Sequence, residues 1–117
     1  NDEIMVIIQI ETITGVNNVD EILSVEGVDV AFIGPSDLSS SMGHTGNMGH
    51  PDVQEAIRRA EAMAKSKRIP LGTVCGSFEQ AKELYNRGYQ LVTLCADSSL
   101  ITQGSSALVK RFREEIA

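Results

Sequence analysis

The sequence predicts an α/β fold in which four successive strand–helix units place their strands in one parallel sheet. Four short runs, rich in β-branched residues and nearly continuous in apolar character, are typical of strands buried on both faces. Between and after these runs lie segments whose apolar residues recur at helical spacing. The sequence shows no signal for a hairpin between consecutive strands, so we expect parallel pairing through helical crossovers.

The first unit opens with an apolar run over residues 4–10, which ends at Glu11. Asn17 is a favourable N-cap residue, so we expect a helix to begin there. Gly27 is expected to end that segment, because glycine readily adopts the left-handed conformation that stops a helix. A second strand is predicted over residues 28–33, which completes a β-α-β unit.

A stretch rich in glycine and serine follows the second strand, and we expect a long loop over residues 36–49. A connection of this length in a compact α/β fold is usually functional or disordered. The serines at 39–41 are expected to be turn residues. Pro51 suits the first turn of the next helix. The apolar stripe of that helix is formed by Val53, Ala56, Ile57, Ala60, Met63 and Ala64.

The remaining segments predict two further units. A strand over residues 70–75 precedes Ser77 and Gln80, whose spacing is that of a capping box at a helix start. The last strand is predicted over residues 90–95. The last helix is expected from about residue 105 to residue 116, with its apolar side chains in the core.

Composition argues against several classes of protein. The formal net charge of −6 and the pI near 4.8 are unfavourable for a nucleic-acid-binding surface. The sequence has neither a signal-peptide pattern nor an apolar run of the roughly 20 residues that cross a bilayer. Cys75 and Cys95 form no metal or redox motif, and we expect two small buried thiols. A reducing cytoplasm fits these features.

Two carboxylates stand just after predicted strand ends. Glu11 follows the first strand, and Asp37 follows the second across the turn that contains Gly34. Neighbouring parallel strands lie about 4.8 Å apart, so the two side chains could reach a common metal ion. Capping or ion pairing is the commoner role for such residues, and spacing alone does not decide between the roles.

Four strand–helix units with a parallel sheet are compatible with two folds. Helices could cover both faces of a doubly wound sheet, or they could form the outer wall of half of a (β/α)₈ barrel. The chain opens with Asn1-Asp2-Glu3 and reaches a strand almost at once. We therefore expect the sequence to be an internal part of a longer polypeptide.

Several motifs resemble the HpcH/HpaI family of pyruvate-class aldolases, which includes 4-hydroxy-2-oxoheptanedioate aldolase and related sugar-acid aldolases. The motifs are Ile-Gln-Ile-Glu-Thr at residues 8–12, Phe-Ile-Gly-Pro-Ser-Asp-Leu-Ser at residues 32–39 and His-Pro-Asp-Val-Gln at residues 50–54. The sequence departs from the family at residues 94–97, which read Leu-Cys-Ala-Asp. Members of the family usually have a glycine before this aspartate. The resemblance implies that residues 1–117 are the carboxyl-terminal half of a (β/α)₈ TIM barrel whose first half is absent.

The resemblance also implies a set of site residues. Glu11 and Asp37 would be the two protein ligands of a divalent metal, Mg²⁺ or Mn²⁺, with Co²⁺ or Zn²⁺ as alternatives. The residues implied to bind substrate are Gln9, Gly34, Ser36, Asp37 and Val74. Among these, the backbone amides of Ser36 and Asp37 would receive a carboxylate, and Val74 would line the aldehyde side of the pocket.

The implied reaction is the reversible cleavage of a 4-hydroxy-2-oxo acid to pyruvate and an aldehyde through a metal-stabilised enolate. The resemblance places the acid–base histidine, its aspartate partner and an arginine in the missing first half, so no catalytic residue is assigned here. His50 is expected at a helix start and His44 at an oligomer contact. A Schiff base is not expected, because Lys65, Lys67 and Lys82 fall on predicted helices.

Two alternatives remain open. The acyl-CoA lyases that cleave citryl- or malyl-CoA share the two-carboxylate metal site. The chain could also be a self-standing half barrel that pairs with a copy of itself and binds metal without catalysis. Under the aldolase hypothesis the partners are a 2-oxo acid, an aldehyde and further copies of the chain, as in a ring-like hexamer, with no nucleic acid and no membrane.

Overall fold

The computed structural model describes residues 3–116. Within this range four strands alternate with helices along the chain. The strands are β1 (Ile7–Ile10), β2 (Val30–Ile33), β3 (Leu71–Val74) and β4 (Tyr89–Thr93). The helices are α1 (Ile13–Asn17), α2 (Val19–Ile22), α3 (Pro35–Ser41), α4 (Pro51–Ser66), α5 (Phe78–Asn86) and α6 (Asp97–Glu115).

The four strands form one parallel sheet in the order β1-β2-β3-β4. All three neighbouring pairs are parallel, and the pairing of β3 with β4 shifts register between Leu71 and Gly72. A doubly wound sheet reverses its strand order at a switch point, whereas a (β/α)₈ barrel keeps chain order. The observed order therefore matches part of a barrel.

The core lies on one face of this sheet. Ile10, Ile33 and Leu71 are at most 1% exposed and belong to the same cluster as Val53 and Ile57 of α4. Side chains alternate between the two faces of a strand, so the opposite face carries the other set. On that face Ile7 is 44% exposed and Val74 is 46% exposed. In a closed barrel this face would point inward.

The first crossover starts earlier than the sequence predicted. Thr12, in extended conformation, is the N-cap of α1, and its Oγ1 accepts a hydrogen bond from the Gly15 N–H at 3.0 Å. Asn17 is consequently the last residue of α1, and the prediction that it caps a helix was wrong. Asn18 separates α1 from α2. The predicted glycine stop is present, since Gly27 has a φ of +90°.

The predicted loop over residues 36–49 is partly helical. Pro35 occupies the first turn of α3, and Gly34 is its N-cap. The hydroxyls of Ser39 and Ser40 donate to the Ser36 carbonyl oxygen at 2.7 and 3.1 Å. Serine is common in turns, and the sequence prediction followed that tendency. Here these hydroxyls bond back to the preceding helical turn, which a helix tolerates.

Helix α6 begins at Asp97, eight residues before the predicted start. The Asp97 carboxylate accepts a hydrogen bond from the Ser98 N–H at 2.7 Å in its first turn. The prediction that the apolar residues of this helix lie in the core was wrong for this chain, because α6 buries none of the side chains that the structure describes. Exposed fractions are 50% or more at Leu108, Val109, Phe112 and Ile116.

A buried polar cluster joins α4 to β4. Glu61, only 7% exposed, accepts hydrogen bonds from the Tyr89 hydroxyl at 2.6 Å and from the Arg87 guanidinium. Burial raises the pKa of the Tyr89 phenol well above its usual range, and the hydrogen bond to the Glu61 carboxylate adds to the shift. The buried charge of Glu61 is thus matched by two donors, as a stable interior requires.

Two further expectations concern the thiols and the membrane. Both cysteines are free; Cys75 is half-buried and Cys95 is exposed, so the expectation of two buried thiols was wrong. Cys95 lies just beyond the end of β4, where α6 does not cover it. Among residues 3–116, no helix combines the length and apolar character that crossing a membrane requires.

Candidate active site

Strands β1 and β2 end side by side at the carboxyl edge of the sheet. Ile10 is paired with Ile33, and the Gly34 N–H donates to the Ile10 carbonyl oxygen at 3.1 Å. Glu11 follows Ile10, so it lies directly beside Gly34. The sequence prediction that these two strands are parallel neighbours is confirmed.

Gln9 lies on the face of β1 opposite the core, and the side chain of Glu11, the first residue after β1, contacts it there. The Gln9 side-chain amide donates a hydrogen bond from Nε2 to Glu11 Oε2, with a distance of 2.6 Å. Gln9 is exposed and Glu11 is half-buried. A hydrogen bond to one carboxylate oxygen restricts the rotamers of Glu11 and leaves the other oxygen free for a further partner.

Gly34 lies against both of these side chains. A Cβ atom placed on Gly34 would be 2.9 Å from Glu11 Cβ, 3.3 Å from Gln9 Nε2 and 3.3 Å from Glu11 Oε2. The φ of Gly34 is −100°, which any residue can adopt. Glycine is therefore required here for space: a larger side chain would push Glu11 from its position.

Helix α3 starts immediately after this contact. Gly34 is the N-cap, and it supplies no side-chain hydrogen bond to the first turn. Ser36 and Asp37 occupy the second and third positions of the helix and are both exposed. Their N–H groups cannot find an acceptor within the helix, because the first four N–H groups of a helix precede every available carbonyl.

The predicted site residues thus fall into two groups. Gln9, Glu11 and Gly34 are in direct contact. Ser36 and Asp37 follow on α3, and Val74 lies at the end of β3, exposed on the face opposite the core. That Glu11 and Asp37 share one metal ion stays a prediction.

Of Lys65, Lys67 and Lys82, two lie in helices as the sequence predicted, and the third, Lys67, lies one residue beyond the end of α4. Lys65 lies in α4 and Lys82 in α5, and Lys67 is the C-cap of α4. Lys65 Nζ donates to the Arg87 carbonyl oxygen at 2.7 Å, and Lys67 Nζ is 2.6 Å from Asp20 Oδ1. Lys65 and Lys67 therefore bind other surface groups at the far end of α4, remote from the carboxyl edge of the sheet.

The two histidines lie together, which the sequence analysis missed. His50 is the N-cap of α4, as expected of a residue at a helix start, and its Nδ1 accepts a hydrogen bond from the Asp52 N–H at 3.2 Å. The His44 ring stacks on the His50 ring with centroids 3.5 Å apart. The available signal was a pair of histidines at the two ends of a short glycine-containing segment, followed by an aspartate two residues later. That His44 lies at an oligomer contact stays a prediction.

Comparison with known proteins decides the family. The model of the HpcH/HpaI aldolase/citrate lyase family matches residues 1–103. The chain belongs to this family. The resemblance inferred from the sequence motifs is thereby confirmed.

The curated relatives that the chain resembles include two aldolases. The 5-keto-4-deoxy-D-glucarate aldolase of Salmonella arizonae is 40% identical over 114 residues, which are 97% of this chain and 44% of the relative. The 4-hydroxy-2-oxo-heptane-1,7-dioate aldolase of Escherichia coli is 39% identical over 112 residues, which are 96% of this chain and 43% of the relative. The chain therefore spans less than half the length of the curated relatives it matches.

A solved structure supports the same conclusion. A HpcH/HpaI aldolase/citrate lyase family protein from Burkholderia cenocepacia J2315 superposes with a TM-score of 0.87 at 35% identity, over 96% of this chain and 44% of that protein. The predicted fold class, four βα units of a barrel, is confirmed by this match together with the sequential parallel sheet.

Proposed function

We propose that this chain is the second half of an aldolase barrel that cleaves 4-hydroxy-2-oxo acids reversibly to pyruvate and an aldehyde, with a divalent metal ion. The observation that carries the proposal is the contact of Gln9, Glu11 and Gly34 at the carboxyl edge of the sheet, followed by Asp37 on α3. In (β/α)₈ enzymes the active site lies at this edge in essentially every characterised case.

Glu11 and Asp37 are the proposed ligands of the ion. Two carboxylates offer hard oxygen donors, which suit Mg²⁺ or Mn²⁺, with Co²⁺ or Zn²⁺ as alternatives. The fit is supported by Gly34, whose missing side chain keeps the space beside Glu11 clear, and by Gln9, which orients the carboxylate. When bound there, the ion would supply a Lewis acid for the negative charge that develops as the C3–C4 bond breaks.

The other residues bind and orient the oxo acid in this proposal. Gln9 is exposed and can contact substrate with the part of its amide that Glu11 does not use. The N–H groups of Ser36 and Asp37 suit a carboxylate, because they point out of the start of a helix without internal acceptors. Val74 would line the aldehyde side. Proton transfer is assigned to a histidine and an aspartate of the first half of the barrel.

The substrate class rests on the named relatives. One acts on 5-keto-4-deoxy-D-glucarate and another on 4-hydroxy-2-oxo-heptane-1,7-dioate, according to their names. Both names describe oxo acids, and the second places a hydroxyl two carbons from the oxo group. A site that holds a carboxylate on backbone amides and leaves the aldehyde side to Val74 fits this class.

The exposed inner face supports the assignment to half of a barrel. Ile7 and Val74 are each more than 40% exposed on the face that a closed barrel would bury. We infer that the first half of the barrel covers this face. The complete enzyme is proposed to be a cytoplasmic homo-oligomer, such as a hexamer.

Pyruvate release by the complete enzyme tests the proposal. We expect 4-hydroxy-2-oxo acids to be cleaved only when Mg²⁺ or Mn²⁺ is present, and Asp37→Asn to abolish turnover while circular dichroism stays unchanged. Glu79→Gln is the matched control, because Glu79 also lies in the first turn of a helix that follows a strand. Turnover that persists in excess chelator, or in Asp37→Asn, would overturn the proposed mechanism.

Two alternative functions can be tested with the same purified enzyme. The family description names citrate lyase beside aldolase, so cleavage of a CoA thioester without cleavage of 4-hydroxy-2-oxo acids would favour an acyl-CoA lyase. A native polypeptide near 12.6 kDa that lacks a partner half would favour a self-associating half barrel that binds metal without catalysis. A polypeptide near twice that mass favours the aldolase.

A further inference from the structure

The segment between α3 and α4 brings three potential metal ligands together. One ligand atom from each of His44, His50 and Asp52 can be chosen so that all three lie within 4.8 Å of one another. His44 Nε2 is 3.9 Å from Asp52 Oδ2, and His50 Nδ1 is 3.8 Å from the same oxygen. None of these residues belongs to the carboxylate pair proposed above.

Backbone hydrogen bonds bring the two histidines of this segment together. The His44 N–H donates to the Ser39 carbonyl oxygen at 2.8 Å, and the His44 carbonyl oxygen accepts from the Asn47 N–H at 2.8 Å. The His50 N–H donates to the Asn47 carbonyl oxygen at 3.1 Å. Two successive turns thus fold the segment back, and the rings stack at 3.5 Å with an angle of 14° between their planes.

We propose that His44, His50 and Asp52 form a binding site for a second divalent ion of the Zn²⁺, Co²⁺ or Ni²⁺ class. Imidazole nitrogen favours these borderline metals over Mg²⁺, which prefers oxygen ligands. Adjacent ligand atoms around such an ion lie about 3.0–3.5 Å apart, given metal–ligand distances near 2.0–2.2 Å. The two distances to Asp52 are only slightly longer than that range. The Asp52 side chain is 69% exposed, so it can rotate to shorten them.

Metal binding here would change the start of α4. His50 Nδ1 now accepts the Asp52 N–H, so a neutral His50 carries its proton on Nε2. A metal ion on Nδ1 replaces that hydrogen bond and ties the α3–α4 segment to the first turn of α4. The fourth position of a tetrahedral site stays available to water or to a group from another molecule.

Zinc titration of the purified protein in saturating Mg²⁺ tests this inference, because Mg²⁺ occupies hard oxygen sites and leaves imidazole sites open. We expect one Zn²⁺ per chain. His44→Ala and His50→Asn should each weaken binding by at least about tenfold, since even partners that only orient a ligand contribute about 10–100-fold. His50→Asn keeps a good N-cap residue, so its effect is separable from loss of the helix start.

Glu55→Gln on the same helix and Glu11→Gln in the other site serve as matched controls and should leave zinc binding unchanged. Zinc should also raise the melting temperature of the wild type and not that of His44→Ala. Equal zinc affinity in the wild type and His44→Ala, or loss of zinc binding in Glu11→Gln instead, would overturn the inference. Because the readout is zinc and not turnover, the aldolase proposal can fail without affecting this result.

Discussion

Gln9 on β1 and Glu11, the first residue after β1, are joined by a hydrogen bond of 2.6 Å from Nε2 to Oε2 on the face of the sheet opposite the core. Alternation along a strand places residues i and i+2 on the same face, and the contact shows that this alternation continues one residue past the end of β1. The consequence is that the carboxylate proposed to bind metal is already oriented in the protein alone.

Removal of this orienting group should weaken metal binding without destroying the site. We expect Gln9→Ala to raise the Kd for Mn²⁺ by about 10–100-fold, the usual effect of losing a partner that orients a ligand. Isothermal titration measures the change, and Gln103→Ala on exposed α6 is the control. An unchanged Kd in Gln9→Ala would show that Glu11 needs no orientation or binds no metal.

Gly34→Ala tests the close approach to Glu11. The added Cβ would meet Glu11 Cβ at 2.9 Å, so Glu11 must move and Mn²⁺ affinity should fall at least about tenfold. Gly104→Ala is the contrasting change, because nothing lies within 4 Å of a Cβ placed there. Gly104 is inside α6, so its replacement should stabilise the helix by up to about 1 kcal/mol. Wild-type Mn²⁺ affinity in Gly34→Ala would contradict the packing argument.

Tyr89→Phe should lower the free energy of unfolding by about 1–2 kcal/mol, because Glu61 loses the buried one of its two hydrogen-bond donors. Urea denaturation measures the difference. Tyr85→Phe is the matched control, since Tyr85 is 73% exposed and should change little. Equal stability of wild type and Tyr89→Phe would show that the hydrogen bond to Glu61 contributes nothing measurable.

The same tyrosine predicts a pH dependence. The folded protein raises the pKa of Tyr89 above its ordinary value of 10.0. Above that pH the unfolded chain releases the phenolic proton and the folded chain retains it, so the wild type loses stability as pH rises. Tyr89→Phe lacks this group and should show a shallower decline above about pH 10. Parallel declines in the two proteins would exclude the effect.

Much of the fold could be predicted because its signals are local. The β-branched runs located all four strands, Pro51 marked the start of α4, and the Ser77 hydroxyl accepts from the Gln80 N–H at 3.2 Å as the capping pattern indicated. These features depend on a few consecutive residues. The position of Glu11 at a strand end followed from the same kind of signal.

The features that the sequence did not reveal depend on contacts and turns for which it carries no distinctive pattern. The polar cluster joins Glu61 to Tyr89, which are 28 residues apart, and no local sequence pattern predicts this contact. The stacking of His44 on His50 depends on turns that include Gly43 and Gly46, both with φ near +80°. Helix α3 was missed because its serines also favour turns, and only the completed backbone shows their hydroxyls bonding to the preceding turn.

The most direct measurement is a Mn²⁺ titration followed by electron paramagnetic resonance, on wild type, Glu11→Gln, Asp37→Asn and the double variant, with Glu79→Gln as control. If one ion bridges the two carboxylates, wild type and control bind one Mn²⁺ with equal affinity and each single variant binds far more weakly. The double variant should then be little worse than either single one, because the two ligands act as a unit. Wild-type affinity in Glu11→Gln or in Asp37→Asn would contradict the shared site.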